Sequence, residues 1–423
     1  GVALGHRRLA IIDRQGGRQP HCNEEGTVWL VCNGEIYNYL QLRARLEAAG
    51  HRFRTRSDSE TIVHLYEQHG ADFLQYLVGM FALALWDGRS RKLLLARDRL
   101  GQKPLVYYFQ PGRLFFASHL KSLLSVPGLH QQIDPCDIDA YLTYQYVPHP
   151  MTIFSGYCKL PPGHLAVWDD DRLEVRPYWR PEEVREEVRT AQEYADRLRT
   201  ALTEAVRSQL ESEVPLGVFL SGGVDSTIVA GLMSRLGVEP LRTFTISFAE
   251  PEYDESYYAR TVAVRLRTEH HEYRVEPPTA ELLEQLAWHY DEPLADSSAL
   301  PTWQLARMAG QHITVALSGD GGDELFAGYQ RYAAVQLACW WRRLPAPLRR
   351  PLAAVWRAML PSGALFKSPW RRLSRLSVAI DLPPDKQYLD WVSVFNRDAR
   401  LQLYTTEFAA AVADCRPDQF VRF

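Results

Sequence analysis

The chain predicts an α/β protein built in two unlike halves, a layered α/β domain followed by a domain with a parallel sheet. Three observations point there. Up to about Trp179, short apolar runs separated by turn signals are interrupted by two helical patterns. Beyond Thr190, strands and helices alternate at the spacing of a parallel sheet with helices on both faces. Two glycine-rich loops each follow an apolar strand and open a helix, where such sheets hold their ligands.

Strands are expected at Val28–Val31, Met80–Leu85, Lys92–Ala96, Pro104–Phe109 and Arg113–Ala117. Asp87-Gly88-Arg89-Ser90 and Gln110-Pro111-Gly112 mark the turns between them. Helices are expected from Tyr39 to Ala49 and from Ser59 to His69, each stopped by a glycine, Gly50 and Gly70. The charged stretch 180–190 lacks apolar periodicity and reads as a linker between domains 1–179 and 191–423. Tyr194, Leu198, Leu202, Val206 and Leu210 then repeat every four residues, the stripe of one helix. Leu216–Leu220, Leu241–Phe248, His271–Val275 and Ile313–Leu317 read as the strands of the parallel sheet, with helices between them.

The first glycine-rich loop is Ser221-Gly222-Gly223-Val224-Asp225-Ser226. A strand running through glycines into a helix start leaves backbone N–H groups aimed at one point, an anion cradle reinforced by the helix dipole. Two serine hydroxyls add donors, and Asp225 suits the Mg²⁺ that accompanies a polyphosphate. The lysine and spacing of a Walker A loop are absent, so the loop reads as a holder of pyrophosphate as leaving group. The second loop, Ser318-Gly319-Asp320-Gly321-Gly322-Asp323-Glu324, offers three carboxylates beside, by inference, the first. Asp323 with Asp225 would bracket Mg²⁺, and Asp320 would take a proton or orient an amine.

Global properties narrow the class. The chain has 423 residues and a formal net charge of -3, with no overall pull toward nucleic acid or anionic lipid. No run of apolar residues is long enough to span a bilayer. The six cysteines, Cys22, Cys32, Cys136, Cys158, Cys339 and Cys415, form no C-x-x-C pair. They point to a reduced, cytoplasmic setting rather than a disulfide framework or a zinc site. His270-His271-Glu272 reads as a strand, since neighbouring strand side chains face opposite ways. The acid-free stretch 325–380, with ten basic residues and four interleaved tryptophans, reads as solvated faces of a helical insertion.

With both loops in hand, the chain resembles the glutamine-hydrolysing asparagine synthetases over nearly its whole length. Leu4-Gly5-His6-Arg7-Arg8-Leu9, Asn33-Gly34-Glu35-Ile36-Tyr37-Asn38, Ser57-Asp58-Ser59-Glu60 and Gly79-Met80-Phe81 carry the likeness in the first half. Leu95 to Gly101 and Leu160-Pro161-Pro162-Gly163-His164 extend it. Both loops, Asp254-Glu255-Ser256, His271-Glu272 and Asp291-Glu292-Pro293 carry it in the second. The resemblance implies an N-terminal-nucleophile-type glutaminase domain followed by a PP-loop ATP pyrophosphatase domain. It implies ATP and Mg²⁺ as cofactors, with aspartate and glutamine as substrates. The aspartate carboxylate would be adenylated with loss of pyrophosphate, and ammonia would displace AMP. Leu220, Ile246, Ser318 and Gly319 would contact ATP, and Ser221, Gly222, Gly223, Asp225 and Ser226 would hold pyrophosphate. In the glutaminase, Arg8 would pair the glutamine α-carboxylate and Asp58 with Glu35 the α-ammonium, while Asn33 and the Gly34 N–H would form the oxyanion hole. No nucleic-acid partner and no membrane span are implied, and a homodimer stays open.

The chain also departs from that family. The family's nucleophile is a cysteine at the mature N-terminus, and no cysteine here takes that place; Cys32 reads as a buried strand residue. Asp320 stands where glutamate is common, one carbon shorter. The family's later lysine-containing segment has no counterpart. The sequence is therefore expected to be an internal fragment of a longer synthetase, inactive as a glutaminase and with little or no synthetase activity by itself. Asp291–Pro301, the acceptor-reading segment, lacks the arginine of many aspartate users, which keeps a sibling ligase amidating another carboxylate as the alternative. A PP-loop enzyme modifying tRNA would call for a cysteine pair and leave the first half unexplained.

Overall fold

The computed structural model describes every residue except 170, 182–186, 188, 278, 360–376, 378, 379, 381 and 417–423. They form two compact units. One comprises Gly1–Gln132, His149–Asp291 and Ser298–Gly319, the other Ile133–Pro148, Glu292–Ser297 and Asp320–Phe423.

In chain order the first elements are β1 (His21–Cys22), β2 (Val28–Ile36), α1 (Tyr39–Ala48), α2 (Glu60–His69) and a 3-10 stretch, Gly70–Tyr76. β3 (Gly79–Asp87), β4 (Lys92–Arg97), β5 (Val106–Gln110), β6 (Arg113–Ala117) and α3 (Leu120–Leu124) follow. Then come α4 (Pro135–Tyr144, in the second unit), β7 (Tyr157–Lys159), β8 (His164–Asp169) and β9 (Arg172–Pro177). Six strands make one antiparallel sheet in the order β1-β2-β3-β4-β8-β9, and β6-β5-β7 make a second. Alternation along each strand buries both faces of the larger sheet. Leu30, Cys32, Leu83 and Leu85 pack with Leu42, Leu46, Ile62 and Leu65 of α1 and α2. Val31, Ala82, Ala84 and Leu95 pack instead with Leu105 and Tyr107 of the smaller sheet. The result is a layer of helices, a sheet and a second sheet, the layered α/β architecture expected. β8 and β9 were not anticipated: β8 pairs with β4, and β9, whose apolar residues alternate with charged ones, pairs with β8 at the sheet edge.

Asp98 closes this layer. Buried to 1% exposure, it accepts from the N–H groups of Phe81, Leu100, Gln102 and Lys103 at 2.9–3.2 Å. Arg97 beside it donates to the carbonyls of Gly101, Lys103 and Leu160 at 2.7–2.9 Å. The motifs around residues 95–101 and 160–164 are thus one hydrogen-bonded corner, with backbone groups that would otherwise be unpaired.

After a Thr190–Glu193 capping box, α5 (Ala191–Ser208) begins the second half. β10 (Leu216–Phe219), α6 (Val224–Arg235), β11 (Arg242–Ser247), α7 (Ser256–Leu266), β12 (Glu269–Arg274), α8 (Ala280–Tyr290), α9 (Ala299–Ala309) and β13 (Val315–Leu317) follow. The four strands are all parallel, in the order β12-β11-β10-β13. Val218 and Leu220 pack with α6 and α7, and Phe244 on the other face with Leu305 and Ala309 of α9. The α5 stripe is only partly used: Leu202, Val206 and Leu210 join the core, while Tyr194 and Leu198 are exposed. His271 stacks on Phe244 with ring centroids 5.0 Å apart, which agrees with a strand residue in packing contact.

In the second unit, α10 (Gly322–Leu325), α11 (Gln330–Arg342) and α12 (Ala346–Met359) precede α13 (Pro384–Val392), α14 (Arg397–Leu403) and α15 (Thr406–Ala411). The described part of the basic stretch lies mostly in α11 and α12, while Lys367, Trp370, Arg371, Arg372 and Arg375 lie outside the described residues. Asp139 of α4 forms a buried pair with Arg400 of α14, Nε to Oδ1 2.8 Å, and accepts from the Tyr404 hydroxyl at 2.5 Å. Cys136 and Cys415 are joined in a disulfide beside it. This corrects the expectation that the cysteines are all reduced. The partners stand 279 residues apart, a separation that leaves no local pattern to read.

Phe244 is fully buried at the centre of the parallel sheet. Phe244→Ala is expected to cost about 3–5 kcal/mol, read as a lower denaturant midpoint for the transition of the parallel-sheet half.

Candidate functional site

The parallel sheet delivers two loops to the carboxyl ends of the neighbouring strands β10 and β13. Ser221–Gly223 link β10 to α6. Gly222 has φ 82°, and a Cβ there would lie 2.6 Å from both Ala259 N and Tyr258 Cβ of α7, so only glycine fits the turn. Asp254 holds the start of α7 in place, accepting from the Ser256 N–H and hydroxyl at 3.1 and 3.0 Å. The two loop serines share a hydrogen bond, Oγ to Oγ 3.0 Å, and Ser221 Oγ accepts from Gly223 N. No side chain caps the α6 N-terminus at Gly223, so its first N–H groups have no capping acceptor. Ser221 and Gly223 are exposed, Asp225 half-buried and Ser226 buried.

The strand β13 loop abuts this one. A Cβ on Gly319 would stand 2.7 Å from Ser226 N and 3.0 Å from Asp225 Cβ. The structure therefore brings Ser318 and Gly319 to the first loop. Asp320 and Asp323 are exposed residues of the second unit. Leu220 is buried, its N–H donating to Phe244 O at 2.9 Å and its carbonyl accepting from Thr245 Oγ1, so its side chain belongs to the core. Ile246 is half-buried on β11, on the Phe244 face. Asp291 is committed elsewhere: it accepts from Leu120 N and pairs with His119 and Lys121, each at 3.0 Å.

The second set lies where β2 ends. Asn33, Gly34 and Glu35 are within the strand, paired to Ala82, Phe81 and Met80, because β2 runs five residues past its apolar run. Gly34 leaves no space for a Cβ against Met80 O. Asn33 Nδ2 donates to Ser118 Oγ at 3.3 Å, a partner contributed by a segment 85 residues away. Asp58, 3% exposed at the start of α2, accepts from Ile36 N at 2.7 Å and from Ser57 Oγ. Arg8 donates to the carbonyls of Ile12 and Asp13, leaving further guanidinium donors. Cys32 is buried, and burial pushes its thiol well above the ordinary range.

Electrostatics set this pocket apart. Burial, then the Asp58 charge, pushes the Glu35 carboxyl up to about 8, against the pull of Arg8 and Lys103. Burial likewise raises Asp58, against hydrogen bonds from Ile36 and Ser59 and the charge of Arg8. Glu35 Oε2 is buried without a hydrogen-bond partner. Two adjacent carboxyls in a shared buried setting resist ionising together. Ser118 and Lys103 were not found in the sequence, where an isolated serine and lysine carry no signal.

Residues 1–179 match the glutamine amidotransferase domain family and residues 197–405 the asparagine synthase family. Asparagine synthetase [glutamine-hydrolyzing] 1 of Bacillus subtilis is 34% identical over 95% of this chain and 62% of its own length. Putative asparagine synthetase [glutamine-hydrolyzing] 2 of Methanocaldococcus jannaschii is 34% identical over 82% of this chain and 71% of its own. Amidase chry2 of Gibberella zeae is 34% identical over 80% of this chain and 53% of its own. The chain belongs to the glutamine-hydrolysing asparagine synthetase family, and spans 62% of the length of the Bacillus relative.

Glu35 stays protonated in the folded protein up to about pH 8, whereas the unfolded chain releases that proton near the ordinary carboxylate range. The folded state thus holds the extra proton in this window, and stability falls as pH rises from about 4.5 to about 8. Glu35→Gln removes that slope. Melting temperatures of the two proteins should diverge with rising pH, the variant gaining; parallel profiles would refute the assignment.

Proposed function

We propose that this member of the asparagine synthetase family is part of an ATP-dependent ligase that converts aspartate to asparagine with nitrogen from glutamine or ammonia. The observation that supports it most directly is the packing of Gly319 onto Ser226. A carboxylate resists nucleophiles until one oxygen becomes part of a leaving group, and adenylation supplies AMP for that purpose. The uncapped α6 N-terminus and the Ser221 and Ser226 hydroxyls would hold the pyrophosphate that departs, with ATP resting on Ser318, Gly319 and the backbone around Leu220 and Ile246.

The half-buried Asp225 carboxylate, beside that cradle, fits Mg²⁺, which prefers one or two carboxylates plus phosphate oxygens. When bound, the ion would neutralise charge on the phosphates. From the sequence motif alone we assign Asp323 to the same metal and Asp320 to the incoming amine. In the first half, Arg8 would engage the glutamine α-carboxylate, while Asp58 and Glu35 receive the α-ammonium, which offsets their mutual repulsion. Asn33 and the Gly34 N–H would stabilise the oxyanion of amide cleavage.

The deciding experiment gives the protein at its natural length ATP, Mg²⁺ and ammonia with aspartate or other carboxylic acids. Aspartate-dependent AMP and pyrophosphate support the proposal; release only with another acid moves the acceptor, and ADP with phosphate refutes it. Asp225→Ala should lower aspartate-dependent pyrophosphate release by about 100-fold, the scale of one preorganised electrostatic contact. Asp58→Asn should cut glutamine-dependent synthesis about 10- to 100-fold, the scale of one charge-assisted contact of 1.5–3 kcal/mol, and leave ammonia-dependent synthesis near wild type. An equal loss with both nitrogen sources would place Asp58 in folding only.

A further inference from the structure

A second cluster of ligand-type side chains lies in the first half, apart from the residues assigned above. Glu24 sits in the turn between β1 and β2, His51 in the connection after α1, and His64 and Glu67 one turn apart on α2. One ligand atom from each lies within 4.8 Å of the other three. His64 Nδ1 is 3.5 Å from Glu24 Oε2 and 3.4 Å from Glu67 Oε2. His51 Nδ1 is 3.4 Å from Glu24 Oε1 and 3.7 Å from Glu67 Oε2.

These separations are long for hydrogen bonds between imidazole and carboxylate, which close to about 2.7–2.9 Å when charge-assisted. Those from His64 to Glu24 Oε2 and Glu67 Oε2, 3.5 and 3.4 Å, match the edge of a coordination tetrahedron. Zn²⁺ binds imidazole nitrogen at ~2.0–2.1 Å and carboxylate oxygen at ~2.0–2.2 Å, which sets ligand atoms about 3.3–3.6 Å apart. The His64 ring adds an independent indication. It is fully buried, and both its nitrogens lack a hydrogen-bond partner, as does Glu67 Oε2. Burying an imidazole with neither nitrogen satisfied is costly unless something else occupies the lone pair.

The surroundings fit as well. Asn23 Nδ2 donates to Glu67 Oε1 at 2.7 Å, and Arg52 N donates to Glu24 Oε1 at 2.8 Å. His64 Nε2 faces Glu60 Oε1 at 3.9 Å, placing a carboxylate behind the imidazole, as in many histidine–metal sites. Arg54 does not compete, because its guanidinium donates to the Asn23 and Glu24 carbonyls and to Cys22 Sγ. Two carboxylates and two neutral imidazoles balance the charge of a divalent ion. The exposed Glu24 side gives the ion an entry path.

We propose that Glu24, His51, His64 and Glu67 form a divalent transition-metal site, suited to Zn²⁺, that clips the β1–β2 turn and the α1–α2 connection onto α2. The site is structural: all four positions are filled by the protein, with no open one for a substrate.

The test uses the full chain, stripped with chelator, supplied with Zn²⁺, dialysed and measured for metal content and melting temperature. Wild type should retain about one more zinc per chain than Glu24→Gln and melt higher with Zn²⁺, as expected for a ligand that binds only the native state. Co²⁺ should give a tetrahedral visible spectrum in wild type that Glu24→Gln lacks. His64→Gln should lose the metal too. Because that side chain is buried and the variant can unfold, the exposed Glu24 substitution, checked by circular dichroism, decides. No retained zinc in wild type, or equal retention in Glu24→Gln, overturns the proposal.

Discussion

The hydrogen bond from the Ile36 N–H to the buried Asp58 carboxylate, 2.7 Å long, is the contact on which the first half depends. It ties the end of β2 to the start of α2, so that the strand bearing Asn33, Gly34 and Glu35 and the helix entrance bearing Asp58 face one position. A carboxylate held this way accepts from backbone that water cannot reach, which makes it hard to remove. It also brings Asp58 close enough to Glu35 that the Asp58 charge, after burial, opposes ionisation of Glu35. The same contact therefore completes the fold and makes the neighbouring Glu35 harder to ionise. Asp98 has a related part, since its four backbone donors gather the β3 and β4 ends into one corner.

In the parallel sheet the governing constraint is steric rather than electrostatic. Gly222 and Gly319 both stand where a Cβ would strike neighbouring backbone, of α7 and of α6 respectively. The bare Gly222 lets the β10 loop lie against α7, and the bare Gly319 lets the β13 loop reach the start of α6. Leu220 and Phe244 are buried in the close-packed sheet that carries these loops. The proposed hold on pyrophosphate would rest on backbone donors ordered in advance, because donors that must first be ordered contribute less.

The Glu24–His51–His64–Glu67 cluster shares helix α2 with Asp58. Asp58 stands at its entrance and His64 with Glu67 further along, the stretch between them being held by Glu60, which accepts from the N–H groups of Arg54 and Thr55. Anything that fixes α2 against the β1–β2 turn also fixes the position of Asp58.

Much of the chain was legible from its residues alone. Apolar runs bounded by turn signals located β3, β4 and β6, glycines past the last turn ended α1 and α2, and the alternation after Thr190 gave the parallel sheet. The strand–glycine–helix turn at Ser221–Ser226 was legible because strand, glycines and helix start are adjacent in sequence, and local geometry follows from local chemistry. Tertiary structure alone decided three things. β2 continues through polar Asn33 and Glu35 because β3 pairs with it, a neighbour more than 40 residues away that periodicity cannot see. Cys136 meets Cys415 through the packing of α4 with the final helices, although the cysteine count argued for reduced thiols. And four scattered residues, Glu24, His51, His64 and Glu67, converge only once a turn, a loop and a helix are folded together. Neighbours in sequence determine conformation; partners brought close by burial determine chemistry, and their distances exist only in the folded chain.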